Sequence, residues 1–157
     1  MDIEIKVSIP EVFKLVARRT SMATETDPFY KDASTEKKQY SQLHGEGDRI
    51  TLDFVKEAAK EVLKSYLSRQ GDVTTPAFEV TTDEIIYRVA EGTPPLDSHH
   101  SDAVTARLTT NTRDAIMYFT MLQLYEADGN ANKILETKAK TLELIDIISG
   151  DLYRLHD

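Results

Sequence analysis

The chain has 157 residues, 40% of them apolar and 8% aromatic, enough for one buried core and too many for wholesale disorder. Nineteen Lys and Arg against 27 Asp and Glu leave a formal charge of −8, a poor balance for gripping phosphate backbones. The absence of cysteine excludes disulfides, thiolate zinc sites, iron–sulfur centres and cysteine nucleophiles together.

No run approaches the roughly 18 apolar residues of a membrane span, and the opening MDIEIKVSIPE lacks the basic-then-apolar order of a signal peptide, so neither membrane insertion nor export is expected. Ile3, Ile5 and Val7 alternate with charged residues, as in a short strand or extended arm. Ser8-Ile9-Pro10-Glu11 has capping-box spacing with proline in the first turn. Ile9, Val12, Phe13, Val16 and Ala17 then mark one helical face, predicting a helix from Ile9 to Met22. From Ala23 to Asp48 the periodicity stops, and Pro28, Gly45 and Gly47 punctuate a polar stretch. Two readings follow: a solvated loop, or an intersubunit docking arm anchored by Phe29, Tyr30 and Tyr40.

Thr51 is a candidate cap for the next helix, whose stripe is Leu52, Val55, Ala59, Val62 and Tyr66, with Lys and Glu on the other face. Gln70-Gly71-Asp72 should end it near Arg69. Phe78-Glu79-Val80 and Ile85 to Val89 are β-branched and aromatic, predicting a short hairpin around residues 78–90 that must pack on helices or pair with another chain. Gly92 to Pro95 interrupts regular structure. A long helix follows, capped by Ser98 or Ser101 and running to about Ala127, with Val104, Leu108, Ala115, Phe119 and Leu122 on one face and Ile116, Leu124 and Tyr125 thickening it. Its threonine-rich stretch from Ala106 to Arg113 suggests a kink or an exposed half. Asp128-Gly129-Asn130 links it to a last helix, Ala131 to Leu155, carrying Ile134, Thr141, Ile145, Ile148, Leu152 and Leu155 near heptad spacing. So short a connection makes the pair an antiparallel hairpin.

The expected fold is therefore a mainly α, single-domain helical bundle with a long C-terminal antiparallel hairpin and a short β segment. Its predicted core is Val12, Phe13, Val16, Val55, Ala59, Val62, Tyr66, Ile116, Phe119, Leu122, Tyr125, Ile145, Ile148 and Leu152.

No motif for chemistry emerges. His44, His99, His100 and His156 include one adjacent pair, but neighbours on a helix point about 100° apart and do not converge on a metal. There is no H-E-x-x-H, no phosphate-cradling glycine loop, no G-x-S-x-G elbow and no calcium-loop spacing of acids. A two-carboxylate hydrolase has no specific support. The expectation is a protein without catalytic, cofactor or metal residues.

The order of elements adds a resemblance. A helix carrying Phe54, Glu57, Ala58, Val62, Tyr66 and Leu67 precedes a short β segment. A helix ending Leu124-Tyr125-Glu126 and a last helix with Leu152-Tyr153-Arg154 follow. This arrangement resembles the head–tail connector, or neck adaptor, proteins of tailed bacteriophages and prophages. The resemblance implies a structural virion protein made in the host cytoplasm, a homo-oligomeric ring of about twelve copies between the portal and a tail or second adaptor protein, closed by head-to-tail contacts. DNA would pass through the central channel without specific binding, and the charge of −8 then reads either as carboxylates that repel it or as solubility alone. Intersubunit or partner contacts are expected at Phe29, Tyr30, Tyr40, Phe78, Val80, Ile86 and Arg154. The competing expectation is a small soluble helical protein-binding or regulatory module that forms no ring.

Overall fold

The computed structural model describes residues 2–31, 52–67, 77–90 and 98–156. Strand β1 (Asp2–Ser8) leads into helix α1 (Ile9–Thr26) and a one-turn helix α2 (Pro28–Lys31). Helix α3 (Leu52–Leu67), strands β2 (Phe78–Val80) and β3 (Glu84–Ala90), and helices α4 (Ser98–Asp128) and α5 (Ala131–His156) complete the chain. The fold is mainly α with a small antiparallel sheet, as expected.

The expected hairpin forms between β2 and β3, and β1 joins it on the other side, giving the order β1-β3-β2. The third strand answers the marginal stability of a lone hairpin. Alternation does the rest: Ile5 lies opposite Tyr87 and Val7 opposite Ile85, so one face is apolar and enters the core. On the other face Arg88, in the central strand, pairs with Glu4 at 3.4 Å and Glu79 at 3.0 Å on its two neighbours. The bonds from Arg88 and then Lys6 hold the Glu4 carboxyl below the ordinary carboxylate range.

Ser8 caps α1 by accepting the Glu11 N–H at 3.3 Å, while the Glu11 carboxylate crosses to Arg113 of α4 at 2.9 Å. Only the serine half of the capping box is realised. The helix continues four residues past Met22, to Thr26, where Asp27 turns extended and its N–H closes on the Ala23 carbonyl at 2.8 Å. The expectation of a loop starting at Ala23 is thus corrected: residues 23–31 are nearly all helical, and Pro28 opens α2 because its missing N–H costs nothing there. The rest of that stretch, and the Thr51 and Gln70-Gly71-Asp72 end signals of α3, lie outside the described residues.

Helix α4 is the central element, packed by α5, α3, α1 and β1. It is helical throughout, so the threonine-rich segment makes no break, and Leu108 and Thr112 within it are buried. Encirclement explains why Met117, Thr120 and Met121 are buried beyond the single face read from sequence. The α4–α5 link is two residues, one shorter than expected. Gly129, at φ +74°, sends its N–H to the Glu126 carbonyl, and Asn130 sends its own to the Tyr125 carbonyl, a Schellman closure that favours glycine.

Ten of the fourteen expected core residues are buried; Phe13, Phe119, Leu122 and Ile145 are only partly so. In the middle of the core, Tyr66 stacks on Tyr87 with ring centroids 4.5 Å apart. The Tyr66 hydroxyl meets the Thr112 hydroxyl at 2.6 Å, and the Tyr87 hydroxyl donates to the Ala59 carbonyl at 2.6 Å, so both buried phenols are satisfied.

Candidate interaction surfaces

The residues expected to meet neighbouring subunits fall in different places. Tyr30 is 1% exposed and sits in the chain's own core, which corrects its assignment as an intersubunit anchor. Its hydroxyl donates to the Asp128 carboxylate, and Phe29 rests edge-on against its ring at 4.9 Å. Asp27 reinforces the junction: one carboxylate oxygen accepts the Phe29 N–H at 3.0 Å, and the other accepts the Asn130 side-chain amide at 3.1 Å. Asn130 also caps α5 by accepting the Lys133 N–H at 3.3 Å. A polar segment therefore locks α1 and α2 onto the α4–α5 turn.

Phe78 and Val80 are half-buried on the core face of the sheet, with Phe78 against Tyr87 at 5.3 Å. Ile86 is buried on the opposite face, at 8% exposure, which leaves it little surface for a partner. Arg154 is exposed but engaged, its guanidinium 2.8 Å from the buried carboxylate of Asp151. Arg107 of α4 reaches the same carboxylate at 3.2 Å, tying the two long helices together near their open end. Tyr40 and His44 lie outside the described residues, as do the side chains of His99, His100 and His156. Among the described residues no cluster of three or more His, Cys, Asp or Glu could hold a metal, and no helix is long and apolar enough to cross a membrane.

Three surfaces remain that sequence periodicity does not single out. The first is a cleft of about 400 Å³ between α1, α4 and α5, lined by Arg19, Tyr118, Met121, Tyr125, Lys133 and Lys140 among others. The Arg19 guanidinium lies 5.4 Å from the Tyr118 ring centroid, a cation–π arrangement. Burial, with nearby carboxylates, pushes the Tyr125 phenol up to about 12.

The second is a groove of about 360 Å³ between α3 and α4, floored by Ala58, Phe119 and Leu122 and rimmed by Glu57, Glu61 and Glu126. The third is a stripe along the outer side of α5. Its inward seam is Thr137, Thr141, Leu144, Ile148, Asp151 and Leu155, spaced by steps of four and three. Leu135 and Leu142 lie on the opposite side of the helix and stand 68% and 66% exposed. Sequence periodicity misses this stripe because polar threonines occupy the seam and leucines the outside.

No protein-family model, curated protein or solved structure matches the chain.

Proposed function

We propose that this chain is a structural virion protein, a head–tail connector that joins other copies in a ring between portal and tail around a DNA channel. The observation that carries the reading is the outer face of α5. Two leucines, each two-thirds exposed, sit on a helix whose other face is already committed to the core. Large apolar side chains held outward on a rigid helix fit a protein partner better than water. The hairpin beneath them is braced at both ends, by the Asp27–Asn130 and Tyr30–Asp128 bonds at the turn and by Asp151 with its two arginines near the open end. A braced hairpin suits a wedge in a closed ring, where small errors of angle accumulate from copy to copy. The element order that resembles neck adaptors supports the same reading, and the charge of −8 suits a channel wall that releases DNA.

Mixing the purified chain with a candidate portal protein tests the proposal by electron microscopy. Ring-shaped density on the portal is expected, and a portal that leaves the chain unbound overturns it. The same exposed leucines also serve the competing reading, a helical binding module. That reading expects small complexes of fixed stoichiometry with a non-portal protein and no ring.

A further inference from the structure

We infer that the outer stripe of α5 in one copy seats in the α3–α4 groove of a second copy, making a head-to-tail contact. The inference deepens the ring reading and rests on it for its biological setting, though the contact itself is argued from the two surfaces.

The lengths match. Leu135 and Leu142 are seven residues apart, as are Phe119 and Glu126 along the groove, and both separations span about 10 Å of helix axis. The chemistry matches as well. The stripe offers two exposed leucines with Ala139 between them, and the groove offers the half-buried Phe119 and Leu122.

Charge supplies the polarity. Lys138 lies between the two leucines on the exposed side of α5 and makes no ion pair among the described residues. Glu126 at the groove rim is likewise without a cation there, whereas Glu57 and Glu61 already have Lys60 at 3.5 Å and Lys64 at 2.9 Å. The stripe thus brings one cation without an ion pair, and the groove rim one carboxylate without an ion pair, among the described residues. Asp146 lies one turn beyond Leu142, outside the seven-residue stretch matched to the groove.

Within one chain the two surfaces cannot meet, because the stripe points away from α4 while the groove uses α4 as its floor. Each copy therefore carries one knob and one hole, the arrangement that builds a ring or a filament.

The absence of native cysteine makes the test direct. Ala139→Cys and Glu57→Cys, which leave both leucines in place, are made in separate full-length chains, mixed at high concentration, and treated with a short bismaleimide cross-linker. Mixed dimers should dominate, well above a control in which Glu25→Cys replaces Glu57→Cys. Lys138→Glu in the first chain should lower that yield about tenfold, the weight of one ion pair in an interface, and Glu126→Lys in the second should restore it. A product dominated by Ala139→Cys homodimers would mean that two stripes pair about a two-fold axis, and would overturn the inference. Mixed dimers no more abundant than the control would overturn it too, whatever else covers the stripe. If the cross-link follows the charge swap but no ring forms on a portal, the contact stands and the connector reading falls. Rings that form on a portal without this cross-link keep the connector reading and overturn the contact.

Discussion

The Tyr30 hydroxyl donates to the Asp128 carboxylate across 2.7 Å, joining residues 98 positions apart in sequence. The bond fixes the end of the α1–α2 segment to the C-terminus of the central helix, and the tyrosine ring fills core space beside it. Tyr30→Phe should cost about 1–2 kcal/mol, the weight of a hydrogen bond to a charged group that is not fully buried. Tyr30→Ala should cost about 3–5 kcal/mol, because a cavity is added. Urea unfolding followed by circular dichroism measures both. A Tyr30→Ala chain of normal stability would return this residue to the intersubunit arm expected from its polar surroundings.

Asp151 is 1% exposed and is served by two arginines, each at least half exposed. Either arginine can compensate for the other, so Arg107→Ala or Arg154→Ala alone should cost about 0–1 kcal/mol, the range of exposed ion pairs. Removing both leaves a buried carboxylate without its cations, and the double variant should lose about 3 kcal/mol or more. The excess over the sum of the single losses is the quantity to measure, in a double-mutant cycle by chemical unfolding. Additive losses would show that Asp151 is solvated well enough to need neither partner.

Four tyrosines carry an alkaline limit on stability. Burial raises the phenols of Tyr30, Tyr66 and Tyr87 above the ordinary value, and that of Tyr125 to about 12. These groups stay neutral in the folded chain while the unfolded chain ionises near 10. Their contribution is therefore fully present below about pH 10 and declines as the pH rises past it, since the unfolded state then holds fewer protons. Tyrosinate absorbance should rise for these residues together with the loss of helical circular dichroism. An absorbance rise completed while the helices persist would contradict the burial of their hydroxyls.

How far the sequence foretells this fold depends on which residues carry the pattern. The faces of α1 and α3 are legible because their buried residues are aliphatic or aromatic at clean helical spacing: Val12 and Val16, then Val55, Ala59, Val62 and Tyr66. The α5 seam is legible only in part: Thr141, Ile148 and Leu155 stand on it at heptad spacing, whereas Thr137, Leu144 and Asp151 fall outside the positions read from sequence. Thr141 is admitted by donating its hydroxyl to the Thr137 carbonyl four residues back, at 2.7 Å, and Thr20 and Thr120 do the same at 2.8 Å. Thr141 falls in register with its apolar neighbours, but periodicity counts Thr20, Thr120 and Thr137 as polar and leaves them out of the buried faces. The outward leucines escape notice for the complementary reason, since an exposed leucine and a buried one are the same letter. Phe29 and Tyr30 mislead because the chain around them is polar, and only the fold brings Asp128 within reach.

Gly150 offers a stability gain. It lies inside α5, where glycine costs about 1 kcal/mol against alanine, and a Cβ there meets open space. Gly150→Ala should raise stability by about 0.5–1 kcal/mol, measured by thermal or urea unfolding. A loss of stability would mean that a close neighbour occupies the space beside this turn.

Leu122 and Ile148 separate the core from the groove. Helical spacing places both in the shared core, yet Ile148 is fully buried in the α5 seam whereas Leu122 is half-buried in the wall of the α3–α4 groove. Ile148→Ala should cost about 2–5 kcal/mol by loss of burial plus an unfilled cavity. Leu122→Ala should cost the isolated chain only about 1 kcal/mol, since its side chain is partly exposed and its removal widens an open groove without leaving a closed cavity. If the groove receives a second copy, the order reverses for assembly: Leu122→Ala should weaken cross-linking to a partner stripe while the monomer's unfolding midpoint barely moves. Equal losses of monomer stability at the two positions would place Leu122 in the closed core after all, and the groove would lose its floor.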